Sequence, residues 1–125
     1  MTEKRPVARA LRHRLRLIRL FDTYGRLLTR RQRRLLRLYY HDDLSLGEIA
    51  ERSAVTRQAV HDVLRRSAEE LERLEASLRV VAFRQQLSER IDALAAAVAR
   101  LGKRVGGQAV AEVSQELGVL RRRVR

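Results

Sequence analysis

Apolar residues recur along this chain at intervals of three and four, and nowhere do they alternate in the period-two manner of a strand. Leu11, Leu15, Ile18, Phe21 and Leu28 keep helical spacing and predict a first helix over residues 7–28. Thr29 and Gln32 stand three apart, the spacing of a capping box, in which the hydroxyl accepts from a free amide and the Gln side chain reaches back. A second helix is therefore expected over residues 30–40, turning Leu35, Leu36, Leu38 and Tyr39 inward. His41, Asp42 and Asp43 read as a loop. Ser45 and Glu48 repeat the box, with Leu44 and Ile49 as a hydrophobic staple, and open a short helix over residues 46–53. Thr56 caps a fourth helix, Val55 and Val60 staple it, and no breaker stops it before about residue 81.

Beyond that point Leu71, Leu74, Leu78 and Val81 lead into Leu87, Ile91, Leu94, Val98, Leu101 and Val105, a coiled-coil-like stripe. Gly102 and the pair Gly106 and Gly107 predict a break. Val110, Val113, Leu117, Leu120 and Val124 then mark a last amphipathic helix, with Arg121, Arg122 and Arg123 at the end where cations suit the helix dipole. These stripes exceed what a small N-terminal core can bury. They predict either an intrachain hairpin closed at Gly106 and Gly107 or a homodimer. The expected fold is all-α: a helix-turn-helix bundle, winged-helix-like, with a C-terminal helical extension. Its expected organisation is a loose basic arm over residues 1–10, a helix-turn-helix domain over 11–78 and an amphipathic region over 79–125.

The informative stretch is LSLGEIAERSAVTRQAVHDVLRR, residues 44–66. Leu46, Ile49 and Ala50 supply the inner face of one helix, Val55 closes the turn, and Val60, Val63 and Leu64 supply the inner face of the next. Ala50 is small where the second helix must cross. Arg57, Gln58, His61, Asp62 and Arg65 are left on one outer face, with Arg66 beside it, where a helix-turn-helix meets the major groove. Arg suits guanine O6/N7 and Gln suits adenine N6/N7. Ser53 stands where an apolar residue is usual. Ala54 stands where Gly is common and has to accept a positive φ or a reshaped turn.

Charge changes the picture. The net charge is +13 over 125 residues, which points to a polyanionic partner. Residues 1–40 hold 13 Lys/Arg against 2 Asp/Glu, residues 41–78 hold 5 against 9, and residues 79–125 hold 10 against 4. The basic charge flanks the motif. Arg9, Arg12, Arg14 and Arg16, together with Arg30, Arg31, Arg33 and Arg34, are the candidates to neutralise phosphates. Asp42, Asp43, Glu48, Glu51 and Asp62 would repel them, and they supply the rival reading of a protein adaptor with an acidic docking surface.

Other chemistries find little support. Cysteine is absent, so disulfides, thiolate zinc sites and cysteine nucleophiles are excluded. No run of apolar residues is long enough for a membrane span. Residues 7–20 mix Arg and Leu as a transit peptide does, yet an amphipathic first helix explains the pattern. The expected compartment is the cytoplasm. His13, His41 and His61 have no ligand spacing, and there is no Gly-rich phosphate loop or nucleophile motif, so neither a metal, a cofactor nor an enzyme is expected.

Residues 20–78 resemble the YlxM-type family of small bacterial helix-turn-helix proteins. LLT at 27–29, LYYHDDLSLGEIAE at 38–51 and TRQAVHD at 56–62 carry the resemblance. It implies a helix-turn-helix like that of sigma factor region four. It also implies a regulatory part in the signal recognition particle pathway, beside whose genes the family's genes commonly lie. Ser53 and Ala54 depart from the family pattern, which has an apolar residue and then Gly or Asn. DNA is the expected ligand, with the particle's RNA as the other candidate. A helix reads the deep, narrow groove of duplex RNA poorly, so an RNA role would rest on the basic arms. In the adaptor reading the acidic centre would dock the signal recognition particle, for example its protein subunit, or another basic partner.

Overall fold

A computed structural model describes residues 4–124, with side chains from Pro6 onward. Its elements are α1 (Lys4–Tyr24), a 3-10 turn (Gly25–Leu27), α2 (Arg30–Tyr40), α3 (Leu46–Ser53), α4 (Arg57–Leu78), α5 (Val80–Val105) and α6 (Gly107–Val124). No strand, and so no β wing, occurs among the described residues. The chain forms two compact units, Met1–Arg79 and Val80–Arg125.

In the first unit α1 starts at Lys4, inside the arm expected to be loose, because Pro6 falls in the first turn where no amide donor is needed. Residues 1–3 of that arm lie outside the described residues. The helix ends at Tyr24, short of residue 28, where the chain tightens into the 3-10 turn. Gly25 is buried against Phe21, and a Cβ there would stand 3.0 Å from the ring. The buried face of α1 is Leu17, Leu20, Phe21 and Tyr24. Leu11 and Leu15, expected on it, are 55% and 45% exposed, because residues 6–13 are exposed throughout and the packed face beyond them runs through Leu17, Leu20 and Phe21 instead.

Both capping boxes form. Thr29 Oγ1 accepts from the Gln32 amide and Gln32 Oε1 from the Thr29 amide, and Ser45 and Glu48 do the same. The caps hold α2 and α3 so that Leu35, Leu36 and Ile49 meet Leu20, Val60 and Leu71 in one core. Within it the Tyr24 hydroxyl donates to Glu75 Oε1, and the Ser67 hydroxyl donates to the Val63 carbonyl.

Between α3 and α4 the chain turns through Ala54, at φ 55° and ψ 42°. The Val55 amide returns to the Ala50 carbonyl and the Ala54 amide to that of Glu51, a Schellman closure with alanine in the place glycine favours. Of the two outcomes the sequence leaves open at Ala54, the positive φ is the one adopted. At the far end α4 stops at Leu78, not near residue 81, because Arg79 turns left-handed at φ 54°. The stripe expected to run from Leu71 to Val105 is divided there. Leu71, fully buried, belongs to the core of the first unit.

The second unit is a hairpin of α5 and α6, hinged at Gly106, whose φ is +95°. Ile91, Gly102 and Leu117 are its buried residues, and Arg121 Nε lies 2.9 Å from Asp92 Oδ1. A Cβ on Gly102 would stand 2.8 Å from Val110 Cγ2, so the helices touch where the glycine is. Of the two assemblies the stripes predict, the intrachain hairpin is present. It leaves Leu94, Leu101, Val113 and Leu120 about half exposed.

Candidate nucleic-acid interface

The outer face of α4 exists because its inner face is used. Val60, Leu64, Ser67, Leu71 and Glu75 are buried at helical spacing, which turns Arg57, Gln58, His61, Arg65 and Arg66 to the exterior, where all five are exposed. Arg66 points about 100° from Arg65 around the helix, so it stands beside the other four. Thr56 Oγ1 accepts from the Ala59 amide and fixes where the helix begins, which places Arg57 and Gln58 in its first turn.

This face is partly self-neutralised. Gln58 Nε2 donates to Asp62 Oδ1 at 3.1 Å, and Arg65 pairs with Glu69 at 3.3 Å. His61 Nδ1 lies 3.7 Å from Asp62. Arg57 has no such partner among the described residues. His61 and Arg65 also edge a groove of about 550 Å³ on the flank of α4, whose other wall carries His13, Tyr39 and Tyr40. That groove was not legible in the motif, because its walls come from α1 and α2.

The arginines of α1 divide into two kinds. Arg9 and Arg12 are exposed. Arg14 lies over the Tyr39 and Tyr40 rings at 5.5 and 5.2 Å, donates to the Tyr39 carbonyl at 3.1 Å, and pairs with Asp43 at 3.0 Å. Arg16 holds Glu72 in a two-pronged contact, 2.8 Å on each prong. The hydrogen bond from Arg16 holds the Glu72 carboxyl below its ordinary value of 4.5. Arg14 and Arg16 therefore fasten α1 to the rest of the unit. Only the segments more than twenty residues away supply their partners, so no local pattern marks them.

On α2, Arg30, Arg31 and Arg34 are exposed and Arg33 is half-buried. Arg30, Arg31 and Arg34 line a groove of about 500 Å³ with Leu35, Ser53 and Val55. Ser53 and Val55 belong to the turn that leads into α4, so the amino end of α2 stands beside the amino end of α4. The spacing of the sequence gives no sign of this meeting.

The acidic residues are mostly committed. Asp43 holds Arg14, Glu48 closes the α3 cap, and Asp62 receives Gln58. Among the described residues no group of three or more His, Asp or Glu is placed to hold a metal ion, and His41 instead lies 3.2 Å from Asp22. No described helix is long and apolar enough to cross a membrane.

Residues 11–105 match the model of the family described as "Putative helix-turn-helix protein, YlxM / p13 like". A UPF0122 protein of Symbiobacterium thermophilum is 43% identical over 101 residues, 81% of this chain and 94% of its own. One from Desulforamulus reducens is 39% identical over 110 residues, 88% of this chain and 90% of its own. One from Halalkalibacterium halodurans is 48% identical over 84 residues, 67% of this chain and 77% of its own. The match reaches well past the turn that the motif residues define, and with the all-helical fold it establishes that this chain belongs to the UPF0122 family of YlxM / p13 like helix-turn-helix proteins.

Proposed function

We propose that the first unit binds duplex DNA as a regulatory protein. The first turns of α4 would lie in the major groove, and the free arginines of α1 and α2 on the flanking phosphates. One observation carries this reading. The groove shared by Arg30, Arg31, Arg34, Ser53 and Val55 sets unpaired cations beside the turn that presents Arg57 and Gln58. Backbone neutralisation and base contact are thus available from one edge of the molecule, which is what a groove reader needs. Arg57, Gln58, His61 and Arg65 would meet bases, and Arg66 would meet the adjoining backbone. Arg9, Arg12, Arg30, Arg31, Arg33 and Arg34 would meet phosphates. Arg14 and Arg16 are assigned to holding α1 in place.

The family resemblance makes the signal recognition particle's RNA the second ligand to try. Two copies joined through the apolar edge that the hairpin leaves open would present two such units to the ligand. The acidic adaptor reading is weaker, since Asp43, Glu48 and Asp62, though on the surface, already hold partners within the chain. The test is a salt titration of binding to a selected duplex, a random duplex and a duplex RNA. Replacing Arg30, Arg31, Arg33 and Arg34 with Gln should weaken binding to both DNAs alike and flatten the log–log salt slope by up to about 3.6. Arg57→Ala should cost about 1–3 kcal/mol on the selected duplex alone. An unchanged slope in the first variant, with no sequence-dependent loss in the second, would refute the proposal.

A further inference from the structure

The groove at the amino end of α2 has features that a phosphate contact alone does not need. Its volume is about 500 Å³, within the range of small-molecule sites and several times that of a phosphate ion. Leu35, nearly fully buried, and Val55 give it an apolar lining. Arg30, Arg31 and Arg34 line it and form no ion pair among the described residues, whereas Arg14, Arg16, Arg65, Arg73 and Arg121 all do. The capping box satisfies the amides of Thr29 and Gln32, which leaves those of Arg30 and Arg31 without an intrahelical partner. At the turn, the Ser53 hydroxyl oxygen is buried and has no hydrogen-bond partner among the described residues. An apolar residue at that position would leave no such deficit.

These observations combine cations, free amides, an apolar wall and an unpaired hydroxyl in one place. We propose that the groove formed by Arg30, Arg31, Arg34, Leu35, Ser53 and Val55 is a nucleotide site. Guanidinium groups grip phosphate oxygens in pairs and also stack on planar rings, so arginine suits both ends of a nucleotide. The phosphates lie against the arginines and the start of α2, where the helix dipole favours negative charge. The base lies against Val55, with the nearly buried Leu35 as the floor beneath. The Ser53 hydroxyl donates to the ligand after a rotation about its side-chain bond. The nucleotide comes either from a free nucleoside polyphosphate or from a nucleic-acid chain. With a free nucleotide bound, the cations beside α4 are occupied, so the ligand competes with nucleic acid. Only this last point rests on the DNA-binding reading.

The test is calorimetric titration of the full chain with ATP, with inorganic pyrophosphate and with a short single-stranded oligonucleotide. ATP or the oligonucleotide should bind saturably, and ATP more tightly than pyrophosphate. Arg31→Gln with Arg34→Gln should weaken that binding at least about tenfold. Ser53→Ala should weaken it several-fold while leaving helicity unchanged. Arg122→Gln with Arg123→Gln, both exposed in the second unit, should leave it unchanged, which controls for lost net charge. ATP binding identifies the free nucleotide as a source, and oligonucleotide binding alone identifies the chain. ATP binding that survives alongside a failure to bind duplex DNA supports this site and counts against the proposed function only. The proposal is overturned if neither ATP nor the oligonucleotide binds, if ATP binds but no more tightly than pyrophosphate, or if the Arg31 and Arg34 variant binds as the unaltered protein does.

Discussion

Replacing Ala54 with glycine should stabilise the first unit. Ala54 sits at φ 55° and ψ 42°, closing α3 with its amide directed back to Ala50 and Glu51. A Cβ in that conformation crowds the following carbonyl at a cost of about 1–2 kcal/mol. Glycine removes the crowding but enlarges the unfolded ensemble, which returns about 0.4–1 kcal/mol. The alanine methyl is exposed, so almost no burial is forfeited. The net gain is about 0.5–1 kcal/mol, and with a urea m-value of about 1–2 kcal/mol per molar the midpoint should rise by roughly half a molar. The assay is urea unfolding followed by circular dichroism, with the slope compared between the two proteins. A midpoint that stays or falls at constant slope would show that Ala54 bears no strain, and the Schellman reading of the turn would fail. Gly25→Ala provides the opposite case. Its Cβ would stand 3.0 Å from the Phe21 ring, and Phe21, 6% exposed in the core, has little room to give, so the midpoint should fall.

The remaining expectations concern the two units separately. Glu72 is held below its ordinary value by Arg16, so the stability that the pair contributes is fully present above about pH 4.5 and is lost as pH falls through the lower folded value. Glu72→Gln should therefore flatten the acid limb of a stability–pH profile and leave its neutral-to-alkaline shape unchanged. Arg14→Ala leaves the Tyr39 carbonyl without its donor and should cost about 1–2 kcal/mol in urea unfolding, while Arg9→Ala, exposed, should cost almost nothing. In the hairpin, Ile91→Asp buries an unpaired charge and should strip helicity from the second unit. Leu94→Asp, at a site 53% exposed, should keep the hairpin's helicity and abolish any dimer seen by light scattering.

The parts of this fold that could be read from the sequence are those whose cause is local. Thr29 with Gln32 and Ser45 with Glu48 act across three residues, and both boxes form as expected. The inner faces of α3 and α4 follow from apolar spacing, which by itself turns Arg57, Gln58, His61 and Arg65 to the exterior. Turn geometry narrows Ala54 to a positive φ or a reshaped turn, and the fold takes the first. The end of α4 was different: Arg79 adopts a left-handed conformation with neither Gly nor Pro to announce it. The fate of the α1 arginines was also hidden. Arg14 and Arg16 look like Arg9 and Arg12 in sequence, and only the folded positions of Tyr39, Tyr40, Asp43 and Glu72 separate anchors from free cations. The apolar phase of α1 misled for a related reason, since Leu11 and Leu15 keep helical spacing in a segment that no neighbour covers.

The division of the chain at Arg79 also divides its chromophores. There is no tryptophan, and the three tyrosines, Tyr24, Tyr39 and Tyr40, all belong to the first unit. Tyrosine fluorescence and the tyrosine band of the near-ultraviolet spectrum therefore report on the first unit alone, while Phe83 adds only weak phenylalanine fine structure at shorter wavelength. Far-ultraviolet dichroism sums both units, so the difference between the two signals isolates the hairpin without any label. If the units unfold as one, the two transitions coincide. If they do not, the same unmodified protein resolves two midpoints. A tryptophan placed at Phe83 would then give the hairpin its own emission band, and the two halves could be followed side by side in a single titration.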